Sequence, residues 1–193
     1  MTCVIVLSGA EGAGKSTLAK GLMERFKGKS NRVIAIDDYS GSNHWYPDWL
    51  SQGGDRLFAV KKWRDAGCNP DKAVYTPDLK QELLDLKSRG ELDYIFLEEP
   101  FGKLRKEIRS LIDVSIHIHI PLDIALARGA INNAANGIDP IEYLENYMRA
   151  DLRALHETQN TASKKADLVV DGLQPVGKVA NEAADFIKGQ IAG

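Results

Sequence analysis

Residues 9–17 run Gly-Ala-Glu-Gly-Ala-Gly-Lys-Ser-Thr, which satisfies G-x-x-x-x-G-K-[ST] without a mismatch. In such a string the glycines let successive backbone N–H groups converge on phosphate oxygens. A helix opening near Lys15 turns its positive dipole end toward the same anion. The Lys15 ammonium would reach the β- and γ-phosphates, and the Ser16 hydroxyl would bind Mg²⁺. The chemistry on offer is capture of a nucleoside triphosphate by Gly9, Ala10, Glu11, Gly12, Ala13, Gly14, Lys15, Ser16 and Thr17. A glycine-rich turn with a solvated lysine could carry the same letters. The setting favours the phosphate cradle: an apolar run, Cys3–Leu7, precedes it, and Leu18, Leu22 and Phe26 follow at helical spacing.

Two pairs of acids also stand where chemistry is done. Asp37-Asp38 follows the apolar run Val33–Ile36, and Glu98-Glu99-Pro100 follows Tyr94–Leu97. In open α/β sheets the carboxyl edge of the strands holds the ligand crevice. Asp37 there could accept a proton from a hydroxyl during phosphoryl transfer, or hold Mg²⁺ through water; a turn or N-cap aspartate is the plain alternative. An apolar strand ending in an acid has the form of a Walker B element, which makes Glu98 the metal partner of Ser16. Glu99 faces the other way, because adjacent strand residues alternate. Arg128 could stabilise charge on a transferring phosphoryl group, or be a solvated arginine on a helix face. Arg149 and Arg153 are spaced to pair with Glu145 and Glu157 along one helix.

Other patterns carry less. His117 and His119 share one face of a strand, but without acids or cysteines at matching spacing they fit a polar sheet face under a helix better than a metal site. Asp38-Tyr39-Ser40-Gly41 matches the D-x-x-G string of GTPases, yet Lys164-Lys165-Ala166-Asp167 lacks the residue needed for guanine reading. Trp45, Tyr46 and Trp49 could stack on a flat ring or form a small core of their own.

The elements that must position these residues alternate short apolar runs with amphipathic stretches, the pattern of a mostly parallel sheet. Strands are expected at Cys3–Leu7, Val33–Ile36, Tyr94–Leu97, Val114–Ile120 and Leu168–Val170. Helices are expected at Lys15–Phe26, Asp55–Ala66 before Gly67, and from a Thr76 N-cap with Pro77 at N1 to Gly90. Further helices are expected at Lys103–Leu111, Pro121–Ala135, Pro140–Thr161 and Pro175–Ile191. Ser40–Gly54 is the longest irregular stretch and leaves the sheet edge beside Asp37. The fold class is α/β, a three-layer P-loop NTPase fold with a parallel five-stranded sheet, read as one domain over 1–193 with a small lid around 128–140.

Composition sets outer bounds. The 193 residues are 44% hydrophobic and 27% charged, with 25 basic against 27 acidic side chains. That is ordinary for a globular domain and predicts no bulk attraction to nucleic acid or an anionic membrane. No run approaches the ~20 apolar residues of a bilayer span, and the start lacks the basic region of a signal peptide. Cys3 and Cys68 make neither a CxxC nor a zinc spacing. These features suit a reduced, cytoplasmic protein.

Together the phosphate loop, Ile36-Asp37-Asp38-Tyr39, the strand ending in Glu98, and Ala166-Asp167-Leu168-Val169-Val170-Asp171-Gly172 resemble the uridine kinase family and its nicotinamide riboside kinase relatives. The resemblance runs over most of the chain, and the phosphate loop is its specific part. It implies Asp37 as catalytic base and Glu98 at the family's strand-terminal glutamate, although Glu99-Pro100 follows in place of a glycine. Relatives carry several arginines in a lid after the fourth strand, where this chain offers Arg128. The implied function is ATP-dependent phosphoryl transfer to a hydroxyl of a small molecule, most like a nucleoside. Lys15, Asp37 and Arg128 would be catalytic, ATP and Mg²⁺ the cofactors, and a small-molecule acceptor the partner, with no nucleic acid and no membrane. A nucleoside monophosphate or sugar-acid kinase is the competing enzyme, and a nucleotide-binding regulatory protein the competitor from another class.

Overall fold

The computed structural model describes residues 2–40, 56–74, 76–137, 139–149 and 152–191. Its centre is a sheet of five parallel strands in the order β2-β3-β1-β4-β5: β1 Cys3–Ser8, β2 Asn31–Ala35, β3 Tyr94–Glu98, β4 Val114–His119 and β5 Leu168–Asp171. β1 is central. Its Ile5 and Leu7 point into one apolar layer with Leu18, Leu22, Ile116 and Ala183. Val4 and Val6 point into the opposite layer with Ile34, Leu79, Leu83 and Leu97. A strand buried on both faces has no polar face to alternate, so β1, like β3, shows in the sequence as a continuous apolar run.

The helices lie on both sides. On one side α1, Lys15–Arg25, packs against the C-terminal helix Val176–Ile191. Gly21 permits the approach, since a β-carbon there would stand 2.9 Å from Cβ of Ala180. On the other side lies the helix Pro77–Arg89, whose Leu79 and Leu83 are buried. It ends at Gly90 with φ +65°, the left-handed residue that stops a helix. This is the three-layer α/β P-loop fold expected from the sequence.

Some local expectations are corrected. Thr76 stands at the N-cap position but makes no capping bond; its hydroxyl accepts instead from Nη2 of Arg105 at 2.9 Å. Residues 103–111 do not form one helix. A 3₁₀ turn, Gly102–Leu104, is followed by the four-residue helix Lys106–Arg109. The break is Arg105, held extended with its side chain fully buried, and Asp71 caps the new start by accepting from the Lys106 N–H at 2.7 Å. Residues 140–161 give two helices, Pro140–Arg149 and Leu152–Asn160, with 150–151 outside the described residues. They pack on different partners. Tyr143 of the first lies against Gly129, whereas Leu152 and Leu155 of the second join a third apolar cluster with Trp63 and Phe101.

With these ranges fixed, the helices are numbered α1 Lys15–Arg25, α2 Asp37–Ser40, α3 Arg56–Asp65, α4 Pro77–Arg89, α5 Lys106–Arg109, α6 Leu122–Ala135, α7 Pro140–Arg149, α8 Leu152–Asn160 and α9 Val176–Ile191. Among the described residues no helix is long and apolar enough to cross a membrane.

Candidate active site at the carboxyl edge of the sheet

β1 ends at Ser8 and α1 begins at Lys15, so residues 9–14 make a tight loop at the carboxyl edge of the central strand. Gly9 and Gly12 are required there. Their φ angles are +141° and +77°, and a β-carbon on either would come within 2.7 Å of the Ile118 carbonyl or 2.6 Å of the Ala125 carbonyl. Backbone closeness to β4 and α6 thus shapes the loop. The Lys15 ammonium folds over it and donates to the carbonyls of Gly9 and Ala10 at 3.0 and 3.1 Å. Burial lowers the pKa of Lys15; the nearby carboxylates of Glu98, Glu11, Asp37 and Glu99 oppose that shift.

Ser16 Oγ, in the first turn of α1, donates to Oε2 of Glu98 at 2.6 Å. The phosphate-loop hydroxyl and the acid at the end of β3 therefore meet, as the sequence suggested. Two hard oxygen donors side by side fit Mg²⁺, which takes one or two protein ligands and completes its shell from phosphates and water. Among the described residues no group of three or more His, Cys, Asp or Glu side chains could hold a metal by itself.

A cleft of about 770 Å³ runs along this edge. Lys15, Ser16, Asp37, Glu98 and Arg128 all line it, so the residues selected for catalysis and metal binding come together. Asp37 is the first residue of α2, directly beyond β2, and it lines the cleft where Asp38 does not. Arg128, on α6, touches the loop at Gly12 and donates through Nη1 to the Gly172 carbonyl at 3.2 Å. The strand order puts Asp37 and Glu98 on the β3 side of the phosphate loop and Arg128 with Gly172 on the β4–β5 side.

Other residues have structural roles. Glu99 faces inward, accepts from the Phe101 N–H at 3.0 Å and lies 3.5 Å from Nε of Arg105, both side chains fully buried. Burial raises the pKa of Glu99, and Arg105 pulls it back. Arg149 and Arg153 pair with Glu145 and Glu157 at 2.9 and 2.8 Å, outside the cleft lining. Asp167 ties β5 to β4 by accepting from the Ser115 N–H at 2.7 Å while pairing with Lys103 at 2.6 Å. His117 is buried with Nδ1 3.1 Å from Ser8 Oγ, whereas His119 at the strand end is exposed. The Trp45, Tyr46 and Trp49 stretch lies outside the described residues.

Sequence reasoning did not reach Phe101, His156 and Gln159, which also line the cleft. Phe101 follows the Glu-Glu-Pro string and could have been found from that position. His156 and Gln159 stand in an amphipathic helix with no local signal.

No protein-family model matches the chain. Over nearly its whole length it is similar to a protein named uridine kinase from Staphylococcus epidermidis, 23% identical over 201 residues, covering 98% of this chain and 95% of that one. Among solved structures it resembles a putative fructose transport system kinase from Silicibacter sp. TM1040, 18% identical with a TM-score of 0.59, covering 88% of this chain and 89% of that one. It also resembles a shikimate kinase from Acinetobacter baumannii in complex with shikimate, 15% identical with a TM-score of 0.54, covering 98% and 94%. At these identities the solved structures speak for the fold, which they share. The resemblance to uridine kinase-like P-loop kinases drawn from the motifs fits these similarities.

Proposed function

We propose that this chain is an ATP- and Mg²⁺-dependent kinase that transfers the γ-phosphoryl group to a hydroxyl of a small molecule, most like a nucleoside. The observation that carries the reading is the Ser16–Glu98 hydrogen bond of 2.6 Å beside Lys15, within one cleft that Asp37 and Arg128 also line. A glycine-rich turn with an idle lysine would not need an acid from β3 brought onto its serine.

The residues divide the work by position. The loop N–H groups and Lys15 would hold the β- and γ-phosphates. Ser16 and Glu98 would hold Mg²⁺, which when bound offsets phosphate charge. That offset is needed, because Glu11, Asp37, Glu98 and Glu99 all lie within electrostatic reach of Lys15, and an unscreened triphosphate would meet them as like charges. Asp37, at the end of β2, would accept the proton of the attacking hydroxyl. With Asp37 and Glu98 on the β3 side, the base and ribose of ATP would trail toward β5, past Gly172. Arg128 would leave the Gly172 carbonyl to meet charge on the transferring group, with residues 128–140 acting as a lid.

The uridine kinase name of the curated relative supports a nucleoside as first choice of acceptor. The test is a screen of nucleosides, vitamins and sugars for acceptor-dependent ADP formation, with Lys15→Ala as control. Removing one electrostatic group of this kind should lower turnover by ~10²-fold or more while thermal unfolding stays nearly unchanged. Near wild-type activity in Lys15→Ala would contradict the reading. Tight MgATP binding with no ADP formed for any acceptor would favour a nucleotide-sensing protein instead.

A further inference from the structure

α8 carries two polar side chains that this mechanism does not use. His156 is 1% exposed and Gln159 6%; at i and i+3 they share one helix face, and both line the cleft. Neither ring nitrogen of His156, nor Oε1 of Gln159, has a hydrogen-bond partner among the described residues. Glu11 Oε2 is 3.9 Å from His156 Nε2, beyond hydrogen-bond length, and the other oxygen of Glu11 accepts from Asn133 at 3.2 Å. Tyr147 meets the His156 ring edge-on, with centroids 5.4 Å apart. Buried polar atoms are nearly always paired, so three unpaired ones on the wall of one cleft mark a surface made for a ligand.

Their place in the fold says which ligand. Leu155, the residue before His156, packs in the cluster that holds Phe101 and Val74, and both of those residues also line the cleft. α8 therefore reaches the β3 side, the side of Asp37, through Leu155, while His156 stands by Glu11 and the helix also packs on α6. Charge narrows the class. Among the described residues lining the cleft, the lysine and arginine side chains are Lys15 and Arg128. The first is turned onto loop carbonyls and the second onto Gly172. An acceptor bearing a carboxylate or phosphate would meet Glu11, Asp37 and Glu98 there with no cation to match it.

We propose that His156 and Gln159 are specificity-determining residues that read the phosphoryl acceptor, and that this acceptor is an uncharged, polyhydroxylated molecule. The imidazole supplies one donor and one acceptor and the Gln159 carboxamide oxygen a further acceptor, a set that suits hydroxyl and amide groups. The inference rests on the kinase reading for the word acceptor, but the binding it claims is measured without turnover.

The experiment is calorimetric titration of the full chain, saturated with Mg²⁺ and a non-hydrolysable ATP analogue. One set of probes is neutral (uridine, adenosine, D-ribose) and one anionic (shikimate, D-gluconate, uridine 3′-monophosphate). At least one neutral probe should bind, and tighter than every anionic one. Its Kd should rise about tenfold in Gln159→Leu and in His156→Leu, the loss of about one hydrogen bond each, with partial recovery in His156→Gln. Affinity for the ATP analogue should not change. Neither leucine variant should lower Tm, because neither breaks an existing bond; a merely structural role would lower it. Binding of the neutral probe unchanged in both leucine variants, no binding by any neutral probe, preference for an anionic probe, or loss of folding in both leucine variants would each overturn the proposal. Probe binding through His156 and Gln159 without ADP formation from ATP would instead sink the kinase reading and leave this one standing.

Discussion

Half-buried Lys15 and buried His117 are bases that meet desolvation in different ways. Burial lowers the pKa of Lys15, and the carboxylates of Glu98, Glu11, Asp37 and Glu99 oppose that shift. His117 has no such support: burial, then His119 and Lys15, push its pKa down to about 4 from 6.5. The folded protein therefore resists protonating a ring that the unfolded chain protonates readily. Stability from this residue is present in full above pH 6.5 and drains away as pH falls from 6.5 toward 4, by ~3 kcal/mol in all. Urea unfolding at pH 7, 5.5 and 4.5 should show His117→Gln losing less stability across that range than the wild type. Parallel pH profiles for the two proteins would show that the ring is protonated in the fold. At the same scale Glu98 and Glu99, one residue apart, have unlike tasks: the first meets Ser16 at the cleft, the second meets Arg105 in the interior.

Elements place those groups, and how legible each element was depended on how local its cause is. β1 and β3 could be read because each is apolar on both faces, β4 because Val114, Ile116 and Ile118 alternate with polar residues, and the phosphate loop because its chemistry lies in consecutive residues. Asp37 and Glu98 followed from strand ends alone. The break at Arg105 could not be read. Its cause is a side chain reaching Glu99 and the Thr76 hydroxyl, 29 residues away in sequence, and no local pattern records a contact of that range. His156 and Gln159 were hidden for the same reason: in the sequence they are two polar residues of an amphipathic helix, and only packing turns them inward. The buried pair gives a test at this scale. Arg105→Met should cost ~3–5 kcal/mol, because it leaves the Glu99 carboxyl buried without its partner. Adding Glu99→Gln should restore much of that, as read by urea unfolding. A double variant no more stable than Arg105→Met alone would mean that Arg105 acts by packing and not by charge.

On the scale of the whole molecule the sheet order does the sorting. β1 in the centre offers the phosphate loop, β2 and β3 bring the acids to one side, and β4 and β5 bring Arg128 and Gly172 to the other. On the proposed reading, one cleft then has a donor side and an acceptor side. In the sequence, residues 41–55 follow directly on Asp37-Asp38 and α2, and from that adjacency alone Trp45, Tyr46 and Trp49 are expected to serve the acceptor. At least one of Trp45→Ala, Tyr46→Ala and Trp49→Ala should raise the acceptor KM about tenfold with ATP affinity unchanged, the loss of one stacking contact. Lower Tm in all three without a selective kinetic effect would make those rings packing and nothing more.

In the proposed reaction Asp37 takes the proton from an acceptor hydroxyl while the phosphate loop holds MgATP independently of it. The decisive experiment is acceptor-dependent ADP formation by Asp37→Asn, with its MgATP affinity determined on the same preparation. Turnover should fall by ~10²-fold or more with MgATP affinity unchanged, and Asp38→Asn should have a much smaller effect. Turnover preserved in Asp37→Asn, or lost only in Asp38→Asn, would contradict it.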